Sequence, residues 1–193
     1  MRFLLLIILI CFSSFQARNA AGSWVIERNS TLAIDGSSNI NQFTCDIREY
    51  VKSDTLKSVI DQARKKYFFS NSVLSVDLKR FDCHHKYITA DFRKMLKTEE
   101  YPNLVIRFIS LDEFHEQGIV KGLVDIELAG KKKRMEINYN CSHIGSNQLR
   151  LQGEKLMKFS DFELEAPRKI GGLIRINEEI NVHFNLYFRK LNS

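Results

Sequence analysis

Strict alternation of apolar and polar residues dominates the chain and predicts half-buried β-strands. The clearest example runs from Ile180 to Phe188, where every second residue is apolar and the residues between them are Asn, His, Asn and Tyr. Eight stretches of this kind predict strands: Trp24 to Arg28, Thr31 to Asp35, Val73 to Leu78, Leu104 to Ser110, Val120 to Leu128, Met135 to Cys141, Gln148 to Met157 and Ile180 to Phe188. A hairpin turn at Ala129-Gly130-Lys131 connects two of them.

Two stretches have helical spacing instead. Lys86 to Thr98 carries Ile88, Phe92 and Met95 on one face with charged residues between them, which predicts a short amphipathic α-helix near 86–98. Pro102 then disfavours helical backbone in the residue before it. Asp54 to Phe69 also has apolar residues at helical spacing, so the pattern alone favours a second helix there.

Antiparallel strands in this number must hide their edges, and closure into a barrel is the usual solution. The pattern therefore predicts a mainly all-β fold, an eight-stranded antiparallel β-barrel with one short helix. A barrel of eight strands can enclose one small ligand. A two-sheet sandwich has the same periodicity and stays open as the alternative.

The N-terminus has the composition of a secretory signal peptide. Met1-Arg2 supplies a positive start, Phe3 to Phe12 is an apolar run too short to span a bilayer, and Ala20-Ala21-Gly22 offers small residues for cleavage. We expect residues 1–22 to be removed, leaving a domain of residues 23–193 in the periplasm or outside the cell.

Charge and cysteines refine this picture. Loss of Arg2 and Arg18 with the leader lowers the formal charge from +6 to +4, which suits an anionic head group or peripheral contact with a membrane surface and does not call for nucleic acid.

Cys45, Cys83 and Cys141 remain, so an oxidising compartment predicts one disulfide and one free thiol. Composition leaves all three pairings open.

Catalytic and metal-binding signatures are missing from the sequence. It contains no nucleophile elbow, phosphate-binding loop or zinc-protease helix, so we predict no catalytic residues and no cofactor. Cys83-His84-His85 contains zinc or copper ligand types, but adjacent residues rarely bind one ion together. We predict no metal site.

Several segments in fixed order carry a family resemblance. They are Gly36 to Phe43, Phe81-Asp82-Cys83, Asp91-Phe92, Met95-Leu96, Tyr101-Pro102, Leu104 to Ser110, Val120 to Gly130 and Phe159 to Phe162. Together they span Trp24 to Leu191 and resemble the YceI-like family of secreted lipid-binding domains. Cys45 and Cys83 also resemble a branch of this family from Bacteroidetes-type bacteria, and we take them as the candidate disulfide.

The resemblance implies a lipocalin-like barrel with a helix near one end and a long isoprenoid or similar lipid in an apolar tunnel. It also implies strands at Thr55 to Asp61 and Lys66 to Ser70, and here we follow it over the helical pattern. Two positions depart from the family. Lys158 stands where the family usually has arginine, and Glu163 where it often has glycine.

We therefore predict a secreted or periplasmic protein that sequesters a long apolar ligand, such as a polyisoprenoid or a quinone, inside the barrel. The candidate lining residues are Phe43, Leu74, Val76, Ile106, Phe108, Val124, Ile126, Ile137, Tyr139, Phe184 and Leu186. Two alternatives stay open: an envelope structural or stress protein without a ligand, and an enzyme acting on small lipids. Oligomeric state is not predicted.

Overall fold

The structure, a computed structural model, describes residues 21–113 and 117–191. The predicted signal peptide lies outside these residues except for its last two positions. The strands are β1 (Ala21–Ile26), β2 (Thr31–Ser37), β3 (Gln42–Ile47), β4 (Thr55–Asp61), β5 (Lys66–Ser70), β6 (Val73–Asp77), β7 (Asn103–Asp112), β8 (Gln117–Leu128), β9 (Lys131–His143), β10 (Gln148–Lys158), β11 (Arg168–Lys169), β12 (Ile174–Arg175) and β13 (Glu179–Leu191). One α-helix, α1 (Lys86–Met95), and short 3-10 turns at Leu78–Arg80, Phe159–Phe162 and Ile170–Gly172 complete the described chain.

Eight strands form a closed antiparallel barrel, as predicted. Their order around the ring is β1-β4-β5-β7-β8-β9-β10-β13, and β13 pairs back with β1. Closure gives every strand in the ring a hydrogen-bonded neighbour on both sides. The two-sheet sandwich is therefore excluded.

Two long strands each pair with two partners along one edge, which divides the barrel into two halves. β13 pairs with β2 over Asn181 to Asn185 and with β1 over Phe188 to Leu191. In the same way β7 pairs with β6 near its start and with β5 near its end. In the half that carries α1, the wall is therefore continued by β2 and β3 on one side and by β6 on the other.

A seam between β3 and β6 is closed by other means than a strand ladder. Asp46 and Asp82 exchange two backbone hydrogen bonds, with N···O distances of 2.9 and 3.0 Å. Next to this bridge, a disulfide joins Cys45 to Cys83, and Cys141 is a buried free thiol. The seam is thus closed by one backbone bridge and one covalent cross-link.

Residues 48–54, which connect β3 to β4 and which we call the strap, cover another part of the same seam. The Tyr50 hydroxyl donates hydrogen bonds to the Asp54 carboxylate and, at 3.3 Å, to the Ser75 carbonyl of β6. The backbone N–H of Tyr50 donates to the Arg28 carbonyl at 2.9 Å. Burial and the neighbouring Asp54 carboxylate raise the pKa of Tyr50, so the phenol keeps its proton at neutral pH.

The strands predicted at Thr55 to Asp61 and Lys66 to Ser70 are confirmed, and one further strand was not predicted. The helical pattern at Asp54 to Phe69 gives way to the hairpin β4–β5, as the family resemblance implied, because Leu56, Ser58 and Ile60 alternate inward. Alternation did not predict β3, in which Cys45 and Ile47 are buried. The predicted helix is present and ends at Met95. Within the described residues, no helix is long and apolar enough to cross a membrane.

Candidate ligand-binding site

Helix α1 is fixed to one end of the barrel by the segment that follows β6. The Phe81 and Phe92 rings pack edge to face with centroids 5.5 Å apart. The Thr89 hydroxyl accepts a hydrogen bond from the backbone N–H of Cys83 at 2.9 Å, and the Arg93 guanidinium donates to the Phe81 carbonyl at 2.9 Å. These contacts hold the apolar face of the helix toward the barrel interior.

A mouth cavity of about 190 Å³ opens between α1, the β2–β3 turn and the segment 167–176. Its lining is apolar apart from Asn41 and Asp91. Ile88 and Met95 contribute from the helix, and Ile174 and Ile176 from the facing segment. The mouth cavity therefore presents a largely hydrocarbon surface at the helix end of the barrel.

Separate narrow voids lie inside the barrel, next to the mouth cavity. A central void of about 40 Å³ shares Phe92 and Phe159 with the mouth cavity. A side void of about 20 Å³ beneath the strap shares Leu32, Ile106 and Phe184 with the central void. The three spaces thus adjoin one another from the mouth to the strap, and their charged lining residues are Asp91 at the mouth and Lys158 in the central void.

A distal void of about 30 Å³ lies in the other half, lined by Trp24, Leu56, Phe108 and other residues that are apolar except for Ser58 and the Tyr67 hydroxyl. The three internal voids, of 20 to 40 Å³, each have room for one to three water molecules. Pockets that hold drug-sized ligands are about 300–1,000 Å³. A long lipid chain therefore fits the barrel only when lining side chains move apart.

The eleven candidate lining residues differ in exposure and in whether they line a cavity or void. Ten are at most 5% exposed, and Phe43 is partly buried at the mouth cavity. Those that line a cavity or void are Phe43, Leu74, Val76, Ile106, Phe108, Ile126, Phe184 and Leu186. Val124, Ile137 and Tyr139 belong to the packed core and line none of these four spaces.

Tyr139 illustrates how tightly the middle of the barrel is packed. A Cβ atom added to Gly122 would lie 2.6 Å from Cε2 of its ring, and one added to Gly153 would lie 3.1 Å from Cδ1. Burial alone raises the pKa of its phenol, so the group stays neutral. Two glycines, one on each strand beside β9, therefore make the space that this ring occupies.

Alternation within strands did not reveal the mouth residues. Ile40, Ile174 and Ile176 lie in or beside turns, where no strand or helix period marks the inward side. Ile88 and Met95 belonged to the predicted helix face, but the sequence did not show that this face lines an opening. An apolar helix face that is too wide to be covered by one neighbouring strand could have indicated that Ile88 and Met95 line an opening.

The basic run at the β8–β9 turn is neutralised by carboxylates. Lys131 pairs with Glu163, Lys132 and Arg134 with Asp125, and Lys133 with Asp161. The Arg134 Nε–Asp125 Oδ1 distance is 2.7 Å, and this contact is the main reason that the pKa of Asp125 falls to about 2. The run is a paired surface turn rather than a free cationic patch.

The cysteine and histidine residues do not assemble a metal centre among the described residues. Cys83 is consumed by the disulfide, and Nε2 of His84 lies 3.2 Å from the Asp46 carboxylate. Burial raises the pKa of the Cys141 thiol to about 12, so it is a protonated core side chain.

A closed antiparallel barrel with an apolar lining and a helix beside one opening defines a lipocalin-like barrel. Solved structures that align with this chain include the following three proteins. A polyisoprenoid binding domain from Saccharophagus degradans, implicated in plant cell wall breakdown, aligns over 86% of this chain and 97% of its own, with 17% identity and a TM-score of 0.65.

Burkholderia cenocepacia BcnA aligns over 82% of this chain and 95% of its own, with 12% identity and a TM-score of 0.61. The Campylobacter jejuni YCEI protein aligns over 76% and 86%, with 12% identity and a TM-score of 0.55. No family model and no curated protein matches the sequence. The resemblance noted from the sequence is thus confirmed at the level of the fold: this chain has the fold of YceI proteins.

Proposed function

We propose that this chain is a YceI-like binding protein that sequesters a long apolar lipid, such as a polyisoprenoid or a quinone, within the barrel. The observation that carries the proposal is the row of adjoining, mainly apolar spaces formed by the mouth cavity, the central void and the side void. The shared fold with a polyisoprenoid binding domain supports it. No catalytic step and no cofactor is part of the proposal.

Binding would begin at the mouth cavity, which is the largest of these spaces. A lipid chain that enters there meets Phe92 and Phe159, the two side chains common to the mouth and the central void. Each square ångström of apolar surface that the chain and the wall bury contributes about 25 cal/mol. That gain offsets the cost of moving packed leucine, methionine and phenylalanine side chains apart.

We further propose that the protein acts outside the cytoplasm, after removal of residues 1–22. The disulfide between Cys45 and Cys83 is consistent with an oxidising compartment. Cleavage after Gly22 would leave Ser23 as the first residue, which still pairs with Lys57 and Leu191 in the barrel. N-terminal sequencing of the exported protein tests the cleavage point.

Native mass spectrometry of the protein purified from its own host, followed by solvent extraction, tests the binding function. We expect a stoichiometric apolar adduct that is released on denaturation. A matched pair of variants on α1 then locates the site: Met95→Trp fills the mouth cavity, while Lys94→Trp adds the same ring to an exposed neighbouring position. Loss of adduct in Met95→Trp but not in Lys94→Trp supports entry at the mouth.

A second candidate is an envelope protein that acts through its outer surface without a ligand. The small volumes of the internal voids, 20 to 40 Å³, favour it. Protein that carries no adduct after gentle purification, and that takes up no isoprenoid added at saturating concentration, would establish this candidate and end the lipid-carrier proposal.

A further inference from the structure

Three large apolar side chains around the mouth cavity project into solvent. Ile40 is 64% exposed, Tyr87 74% and Leu173 74%. We call these three residues the rim. Ile40 itself lines the mouth cavity, and Tyr87 and Leu173 are the chain neighbours of Ile88 and Ile174, which also line it. Exposed apolar side chains grouped at one opening mark an interaction surface, whereas scattered ones need no explanation.

The rim is held by defined contacts between two of its segments. The Asn39 side chain donates a hydrogen bond to the Leu173 carbonyl at 2.9 Å, and the backbone N–H of Asn39 donates to the Arg175 carbonyl at 3.1 Å. These bonds place Ile40 and Leu173 side by side on neighbouring turns. The exposure of both residues is therefore a property of an ordered surface.

A basic groove lies on the other side of α1 from the mouth cavity. Its charged residues are Lys79, Arg80, Lys86 and Arg93, with Asp82 as the carboxylate among them. Lys79 pairs with Glu99, but Arg80 and Lys86 form no salt bridge within the described part of the chain. Two unpaired cations therefore stand beside the rim. Arg168 and Arg175 add exposed positive charge on the segment that carries Leu173.

We propose that this end of the barrel docks on an anionic phospholipid bilayer, with the rim inserted among the acyl chains and the basic groove against the lipid phosphates. Apolar and aromatic side chains insert at the boundary between head groups and acyl chains, and nearby lysine and arginine strengthen binding to an anionic surface. Docking in this orientation would place the mouth cavity on the membrane, from which an apolar ligand could enter without crossing water.

The proposal goes beyond ligand binding and is tested without a ligand. Delipidated protein is floated with vesicles of phosphatidylcholine alone or of equal parts phosphatidylcholine and phosphatidylglycerol. We expect binding to the mixed vesicles only, weakened by salt. The rim variant is Ile40→Ser/Leu173→Ser, and the charge variant is Arg80→Glu/Lys86→Glu. Each should bind the mixed vesicles at least about tenfold more weakly than the unmodified protein.

Matched controls lie away from the rim. Ile119→Ser/Ile144→Ser removes two exposed isoleucines that are 79% and 50% exposed, and Lys57→Glu/Lys190→Glu reverses two exposed lysines. Both controls should bind like the unmodified protein. Equal binding to the two vesicle types, or equal loss in the control variants, would overturn the proposal. So would a dimer in sedimentation experiments that the rim variant dissociates, because the rim would then be an interface between two copies.

Discussion

The ring of Phe43 lies against the backbone of Gly36, its partner across the β2–β3 ladder. A Cβ atom added to Gly36 would lie 2.4 Å from Cζ of the ring, and no L-residue other than glycine fits there without moving it. Since Phe43 lines the mouth cavity, this glycine sets the position of one wall of the proposed entrance.

Gly36→Ala should therefore destabilise the fold by about 1–2 kcal/mol, the cost of overpacking a well-packed site. Urea unfolding measures the change. Gly145→Ala is the control, because nothing lies within 4 Å of the Cβ atom added there. Combining Gly36→Ala with Phe43→Leu should recover part of the loss, and full additivity of the two changes would show that the ring contact is not its cause.

Removal of the disulfide should cost more than removal of any single contact along the seam. Cys45 and Cys83 are 38 residues apart, and the chain-entropy model gives about 4 kcal/mol for a loop of that length. We expect Cys45→Ala/Cys83→Ala to lower the free energy of unfolding by a comparable amount. Reductant should destabilise the unmodified protein and leave the double variant unchanged; a double variant that still responded to reductant would contradict this assignment.

Acid stability should depend on Asp125, a buried carboxylate on β8. Arg134 and Lys132 lower its folded-state pKa from 3.8 to about 2. Because the folded pKa is depressed, the stabilisation is fully present above pH 3.8 and is lost as the pH falls from 3.8 toward 2. Its size is on the order of 2 kcal/mol. Asp125→Asn should remove this part of the pH dependence, measured as unfolding free energy against pH.

Glu127→Gln on the same strand is the control for charge loss on β8. Its unfolding curve should keep the slope of the unmodified protein between pH 4 and 2. If Asp125→Asn kept that slope as well, another carboxylate would be responsible for it.

Glu163 has a φ angle of 53°, in the left-handed region, at the position where YceI-like sequences often have glycine. A side chain with a Cβ atom costs about 1 kcal/mol in this conformation. Glu163→Ala removes the contact with Lys131 but keeps the Cβ atom, whereas Glu163→Gly removes both. Glu163→Gly should be the more stable of the two by about 1 kcal/mol in thermal or urea unfolding. Equal stability would mean that the backbone strain is relieved in another way.

Most of the barrel could be predicted from alternation because a strand with one wet face and one dry face reveals itself in sequence. Ile180 to Phe188 is such a strand, and its apolar residues are all buried. The β4–β5 hairpin could not be predicted from alternation alone. Over this short stretch, helical spacing fits Leu56, Val59, Ile60 and Ala63. Alternation fits Leu56, Ser58 and Ile60 equally well. Only the family resemblance separated the two.

The candidate site was less accessible to sequence reasoning. Alternation identified inward residues such as Ile106 and Phe184, but it cannot distinguish those that line a void from those, such as Val124, that fill the core. That distinction depends on side-chain packing to within one methyl group. The mouth depends on turns such as 38–41 and 170–173, whose positions are fixed by long-range hydrogen bonds rather than by local periodicity.

The double role of β13 has a consequence for the order in which the chain folds. This last strand pairs with β1 through Ile26 and Phe188, residues separated by 162 positions, and with β2 and β10 as well. Contacts of such long range form late, since the entropy of closing the loop must be met first. The N-terminal strands therefore remain unpaired along one edge until β13 has been synthesised. Deletion of β13 would leave an open sheet with exposed strand edges, a species prone to aggregate.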